Sequence, residues 1–440
     1  MKPYASYKPS GVPWLGDVPR HWEVNTIKRG YEITLGKMLQ TEQKASTDVS
    51  APYLRSANVQ SERVDVSDVQ TMWFSEHEVH QLALEPNDLV VCEGGDAGRS
   101  AIWHGEIDGC YFQNSVNRVR GVYNNTTFYL MRWLGVVKSC GYMDIVCNKA
   151  TIAHLTKEKL ANLPMLFPPP DEQQAIADYL DAETARIDTL IHEKDELIGL
   201  LREWRQSVIA EYTSGATQPQ DKKATGNVHM PWIPSDWSMV RLGKYARIGN
   251  GSTPLKDNAS YWEGGTFPWL NSAVVNGDIV DEGSEYVTDT ALRACHLPIV
   301  EPGALLVALT GQGKTRGQVT LLRIQATINQ HLAYLALDES RFDFNYLFWT
   351  LTGMYAALRM VSDGQGGTKG ALTCDDLARF EVPMPSLSLQ REIAKAVSSE
   401  TAKIDDLITH TQDGITLLKE MRAATIADAV LGRVDVRTKT

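Results

Sequence analysis

The stretch nearest to catalytic chemistry is Ala308-Leu309-Thr310-Gly311-Gln312-Gly313-Lys314-Thr315, a glycine-rich turn that delivers a lysine and a hydroxyl as a phosphate loop does. A phosphate loop also needs a helix opening directly after the hydroxyl residue, whose free amides and dipole hold the phosphates. Here Arg316-Gly317-Gln318-Val319-Thr320-Leu321-Leu322 follows, a run that predicts the return strand of a hairpin. The corresponding first-half loop, Glu93-Gly94-Gly95-Asp96-Ala97-Gly98-Arg99-Ser100, has no Gly-Lys-Thr. A nucleotide-binding enzyme using Lys314 stays as an alternative beside glycine-rich surface hairpins.

Glycines allow close backbone approach to another surface, so the cations and hydroxyls on such hairpins can reach phosphates and base edges. Arg99 and Ser100 in the first half, and Lys314, Thr315 and Arg316 in the second, are candidate DNA contacts on that ground. Two further loops precede long helical stretches at similar distances and add Asn148 and Lys149, then Gln365, Thr368 and Lys369. Any one of these reads equally well as a solvated turn; recurrence in both halves raises them together.

Other chemistry is missing from the sequence. There is no Asn-Pro-Pro-aromatic or Asp-Pro-Pro-aromatic methyltransferase motif, no glycine fingerprint opening a helix, and no histidine pair at metal spacing. His21, His77, His80, His104, His154, His296 and His331 are scattered and read as surface or satisfied core positions. No metal site and no cofactor are expected in this chain. Cys92, Cys110, Cys140, Cys147, Cys295 and Cys374 show no paired short spacing, which fits a reducing, cytoplasmic setting. Met1 to Gly16 lacks a signal-peptide pattern, and no apolar run is long enough to span a membrane. Trp14, Trp22, Trp232 and Trp237 read as packing anchors.

What must position those loops is a duplication. Gln173 to Gly215 aligns without a gap on Gln390 to Gly432, and roughly four positions in ten are identical. Glu183, Ile187, Asp188, Ile198, Leu201 and Arg205 recur as Glu400, Ile404, Asp405, Ile415, Leu418 and Arg422. Ile187, Leu190, Leu197, Leu201, Trp204 and Val208 follow the three-and-four spacing of a coiled-coil seam with Lys194 as the one polar interruption, and the second copy offers Ile404, Leu407, Ile408, Ile415, Leu418, Met421 and Ile426. Asp171 and Gln174 predict a capping-box start, and Gly215 a left-handed C′ residue. Some forty residues make a rod of about 60 Å, whose nearest partner is its own duplicate.

The regions before each rod match more weakly: Pro52-Tyr53-Leu54-Arg55-Ser56-Ala57 lies opposite Pro268-Trp269-Leu270-Asn271-Ser272-Ala273, and Gln113-Asn114 opposite Asn329-Gln330. Runs such as Asp88 to Cys92 and Gly303 to Leu309 read as buried strands, while Phe128 to Lys138 and Tyr346 to Met360 read as helices. The fold class is α+β, with two similar α/β domains separated by a pair of long antiparallel coiled-coil helices in a pseudo-twofold repeat. Residues 1–167 form the first domain, 168–215 the central helix, 216–229 a solvated linker, 230–385 the second domain, 386–432 the second helix and 433–440 a short, frayed tail. The net charge of −11 argues against nucleic acid until it is located. Eleven carboxylates and only four Lys or Arg fall between Pro168 and Gly215, so the acid lies on the rod. Asp178, Asp181, Glu193, Asp195 and Glu196 there could meet basic partner surfaces.

Together, Gly11-Val12-Pro13-Trp14-Leu15-Gly16, Pro19-Arg20-His21-Trp22, Leu54 to Val59, Gly94 to Arg99, Asn329-Gln330-His331 and the Pro-rich lead into Glu172-Gln173-Gln174 resemble the specificity subunits of type I restriction-modification systems. The likeness covers essentially the whole chain, although Gly-Gln-Gly-Lys-Thr replaces the family-like Gly-Gly-Asp-Ala-Gly-Arg in the second loop. It implies a non-catalytic scaffold whose target-recognition domains each read one half of a split site in double-stranded DNA. It further implies two methyltransferase subunits that bring S-adenosylmethionine, motor-nuclease (restriction) subunits as further partners, and no membrane. The alternative from another class is a coiled-coil protein adaptor without DNA readout.

Overall fold

The computed structural model describes residues 2–147, 154–311, 313–363 and 370–438. Two compact units divide the chain: residues 1–193 with 414–440, and residues 194–413. Each unit therefore owns one globular reader and one half of each long helix. The helices run Pro170–Thr213 and Leu387–Val430, 44 residues apiece, or about 66 Å each at 1.5 Å per residue.

Within each unit the two helices are antiparallel. In the first, Arg422 Nε bonds Asp188 Oδ1 at 2.9 Å; in the second, Arg205 Nε bonds Asp405 Oδ1 at 2.9 Å. A late residue of one helix meets an early residue of the other in both cases. The seam, however, lies one position away from much of the expected stripe. Ile187, Leu201, Val208, Ile404 and Ile415 are buried as expected, and Leu190 and Leu418 are half-buried. Leu197, Trp204, Leu407 and Met421 are 44%, 51%, 49% and 41% exposed. Lys194 keeps its expected place, half-buried, while buried Ile198 and half-buried Ile191 and Arg205 take the other seam positions on the first helix. The pattern 187, 191, 194, 198, 201, 205, 208 keeps steps of three and four, with Arg205 admitted because a carboxylate faces it.

The helix ends are set by backbone chemistry. The first helix begins at Pro170, which suits the first helical position since that amide is unsatisfied anyway. The expected capping box does not form, because Gln174 Nε2 turns forward to Asp178 at 2.7 Å. A buried glutamine does the anchoring in both copies. Gln173 accepts from the Thr126 amide at 3.2 Å and donates to the Pro168 carbonyl; Gln390 accepts from the Asp343 amide at 2.8 Å and donates to the Pro385 carbonyl. Thr126 and Asp343 are the N-caps of the reader helices Thr127–Ser139 and Phe344–Gly353, so each rod start is tied to its own reader. The expected helix over Tyr346–Met360 is divided at Gly353-Met354, and a second helix covers Tyr355–Asp363. Gly215 and Gly432 close the rods at φ +74° and +70°.

The two readers share one topology. In the first, Tyr31–Leu35, Val116–Gly121, Leu89–Cys92 and Ser100–Ile102 make an antiparallel sheet in that order. In the second, Ala246–Asn250, Leu332–Leu337, Leu305–Ala308 and Val319–Leu322 repeat it, and Ile279–Val280 adds a parallel edge strand. A three-stranded sheet joins each. Trp22 and Trp237 are fully buried at equivalent places and Trp14 stacks on Tyr142 at 5.0 Å, but Trp232 is 57% exposed and anchors nothing.

Two segments are more ordered than expected. The linker holds a hairpin in which Lys222–Asn227 pairs with Met230–Pro234, the counterpart of Tyr7–Pro9 with Asp17–Pro19. The tail packs too, with Val436 at 5% exposure and Asp435 bridged to Lys2. No helix among the described residues is long and apolar enough to cross a membrane.

Candidate nucleic-acid interface

The glycine-rich loops are hairpin turns in both readers. Val91 pairs with Ser100 across the first, and Val307 with Val319 across the second. The next element after Thr315 is the strand Val319–Leu322 where a phosphate loop would open a helix, so among the described residues no helix N-terminus backs the Lys314 loop.

Their expected contact residues divide into buried and accessible. Ser100 is 8% exposed on the edge strand of its sheet, and Arg316 is 6% exposed with its guanidinium on the Gly370 carbonyl. Neither lies on the loop surface as expected: the first return strand already begins at Ser100, and Arg316, three residues ahead of its strand, is drawn inside to the Gly370 carbonyl. Arg99 is half-buried: Nη2 donates to the Ser56 carbonyl at 2.8 Å, and Nη1 stands 3.8 Å from Asp96, which also takes Lys138. It staples its loop to the turn that carries Ser56. Lys314 is exposed and Thr315 half-buried, and the Lys314 carbonyl is held by the Tyr355 hydroxyl at 2.7 Å. Asn148, Lys149, Gln365, Thr368 and Lys369 lie outside the described residues.

Next to the second glycine loop sits a polar surface that its sequence motif did not point to. Thr253 Oγ1 donates to Gln330 Oε1 at 2.6 Å, Gln330 Nε2 lies 3.3 Å from His331 Nε2, and His331 Nδ1 lies 2.9 Å from Thr310 Oγ1. Three separate loops thus present one hydrogen-bonded chain, with the Gln330 amide exposed. Such an amide is suited to the donor and acceptor pair on an adenine edge. In the first reader the same crossing places Lys37, paired with Glu78, alongside Gln113 and Asn114.

Glycines make both crossings possible. A Cβ on Gly36 would stand 2.3 Å from the Gln113 carbonyl oxygen, and one on Gly251 would stand 1.7 Å from that of Ile328. Beyond the glycines the crossing loops expose apolar side chains, Met38 at 74% and Leu39 at 52%, and Leu255 at 74%. Large apolar residues on a loop tip are costly in water and suit a surface that becomes covered. The alignment of Gln113-Asn114 with Asn329-Gln330 was the available signal for this cluster; the long-range loop crossing that gives it meaning is not visible in the sequence.

No group of His, Cys, Asp and Glu able to hold a metal occurs among the described residues.

Comparison with known proteins agrees with this architecture. Residues 19–198 and 234–417 both match the type I restriction modification DNA specificity domain. The type I restriction enzyme MjaIX specificity subunit of Methanocaldococcus jannaschii is 20% identical over 434 residues, covering 96% of this chain and 95% of that protein. A chain of a solved type I restriction-modification system, studied for complex assembly and conformational transition, superposes with a TM-score of 0.73 at 16% identity, covering 95% of this chain and 99% of its own. The HsdS subunit from Thermoanaerobacter tengcongensis gives a TM-score of 0.57 at 17% identity, covering 95% and 98%. With both of its halves matched, the chain belongs to the type I restriction-modification DNA specificity family.

Proposed function

We propose that this chain is the non-catalytic DNA-reading subunit of a type I restriction-modification complex, in which each reader recognises one half of a split duplex site. Two methyltransferase subunits bring S-adenosylmethionine and transfer its methyl group to adenine, and motor-nuclease subunits join for restriction. The observation that carries this reading is the unequal duplication. Readers of one topology differ at the residues of their loop crossings, half-buried Lys37 and Asn114 in the first and exposed Thr253 and Gln330 in the second, while the rods keep matched seam residues.

The outer faces of the rods suit helical partners. Leu200 and Leu417 are 62% and 65% exposed at equivalent repeat positions, as are Trp204 and Met421 at 51% and 41%. Of the rod carboxylates, Asp181 is engaged by Arg132 at 3.0 Å and Asp178 by Gln174, whereas Glu193 and Asp195 face solvent. Apolar anchors ringed by charge are what a specific interface uses.

The test is a map of methylated adenines in cells carrying this chain and its methyltransferase. A split motif with a fixed gap is expected, and methylation without one, or none at all, counts against the reading. DNA binding by the complex should be selective and fall steeply with salt, which a protein adaptor would not show. Inserting a heptad into both rods should change the number of unread base pairs; an unchanged gap would show that the rods do not set it. Gln330→Ala should relax one position of one half-site by about 1–3 kcal/mol, read as a 5- to 150-fold loss of discrimination in competition binding.

A further inference from the structure

Each rod carries one arginine on its seam, and each reader reaches that arginine with a carboxylate. In the first unit, Glu62 Oε2 is 2.9 Å from Arg422 Nη2, Glu62 Oε1 is 2.7 Å from Arg132 Nη1, and the far side of Arg422 holds Asp188. In the second, Asp278 Oδ2 is 2.9 Å from Arg205 Nη2, and Arg205 Nε holds Asp405. Trp349, at the position equivalent to Arg132, lies under the Arg205 guanidinium with its ring centroid 5.6 Å away. Glu62 and Asp278 are aligned positions of the two readers, in the register that matches Pro52 to Pro268.

We propose that Arg422 with Glu62, and Arg205 with Asp278, are positioning residues for DNA reading. They fix the angle at which each reader stands on its helix pair, and through it the spacer that the complex accepts between half-sites. This rests on the reading of a split site given above.

Helix pairing alone does not call for this arrangement. An arginine on a seam is poorer packing than leucine, and part-exposed ion pairs add little stability. The planar guanidinium does supply two parallel donor edges, which here engage two different elements at once, the opposite rod and the reader. With the buried Gln173 and Gln390 holding each reader to the start of the other rod helix, every reader is held to both helices of its pair, which restrains its tilt along them. Glu62 adopts φ +64°, a left-handed conformation that costs a non-glycine residue energy, with its amide on the Ser100 carbonyl at 3.1 Å and its carboxylate on Arg422 and Arg132. Burial by itself would raise the Glu62 carboxyl, but these arginines hold it below its usual range, so it is ionised at neutral pH. Glu62 and Asp278 touch the rods, not the loop surface built around Gln330 and Gln113.

The experiment uses the assembled complex of full-length chain and methyltransferase on a library of sites whose half-sites are fixed and whose spacer varies by one base pair either way. Glu62→Gln and Asp278→Asn are near-isosteric and should co-purify with the partner. Each should reduce the preference for the correct spacer by about 1.5- to fivefold while leaving half-site bases unchanged, and Glu62→Asp should restore part of it. Unaltered spacer preference in both variants overturns the proposal, as does an equal loss of methylation at every spacer in an intact complex. A wild-type chain that recognises no split site would overturn the functional reading instead, so the two failures are distinguishable.

Discussion

Glu172→Ala is expected to destabilise the first unit by about 3–5 kcal/mol, the range for removing one partner of a buried charge network, and to release both chain ends. The Glu172 side chain is only 3% exposed and takes donors from three segments. The Tyr4 hydroxyl donates to it at 2.6 Å and Trp22 Nε1 at 3.1 Å, while His21 Nε2 lies at 2.8 Å and Arg437 Nη1 at 3.6 Å. Burial, then the carboxylate beside it, pushes the Tyr4 hydroxyl well above its usual range, so Tyr4 remains a donor at any physiological pH.

The second unit shows why this staple exists. There the chain runs without a break from rod to hairpin to Trp237, and the position equivalent to Glu172 is Leu389. Trp237 Nε1, left without that acceptor, has no hydrogen-bond partner among the described residues. In the first unit the same hairpin and tryptophan belong to the N-terminal segment while the rod end belongs to the C-terminal one. Noncovalent bonds must therefore do what a peptide bond does in the other copy. Hydrogen exchange should show protection lost at residues 4–22 and 430–437 in Glu172→Ala and mostly kept in Glu172→Gln, which retains an acceptor. Undiminished protection in the alanine variant would show that apolar packing alone holds the ends.

This contrast also shows what could be read from the chain beforehand. The repeat, the rods, the hairpin loops and the fully buried Trp22 and Trp237 follow from local patterns, which spacing and composition carry. The seam lies one position away because hydrophobicity favours an apolar residue over a charged one: Trp204 outweighs Arg205, and a stripe that takes Trp204 also takes Leu197 in place of Ile198. The recurrence of Arg205 as Arg422 and of Asp188 as Asp405 held the information, since a charge repeated on a seam implies a repeated partner. The order in the tail was hidden for a different reason. Val436 belongs to the same buried core as Tyr4, Leu15 and Trp22, which joins the two extremes of the sequence in a way that no window can show. The Thr253, Gln330, His331 and Thr310 chain is of the same kind, made by three loops that meet only in the folded sheet.

Gly432→Val and Gly215→Val should each cost about 2–5 kcal/mol, combining a left-handed backbone with overpacking. Each glycine ends a rod, at φ +70° and +74°. A Cβ on Gly432 would lie 2.5 Å from Pro19 Cδ and 2.9 Å from Trp22 Cζ3; on Gly215 it would lie 2.6 Å from Pro234 Cδ and 2.9 Å from the Trp237 ring. Relief would require moving a proline ring and a fully buried indole, neither of which is a flexible chain end. Because the two glycines lie in separate compact units, hydrogen exchange should place the Gly432→Val damage around Trp22 and the Gly215→Val damage around Trp237. Gly199, mid-helix with nothing within 4 Å of a Cβ, supplies the control. Gly199→Ala should be neutral or add up to about 1 kcal/mol, since alanine loses less backbone entropy in a helix. If the two rod-end variants melted like the Gly199 control, the rod ends would not be locked against Pro19 and Pro234, and the junction could not orient a reader.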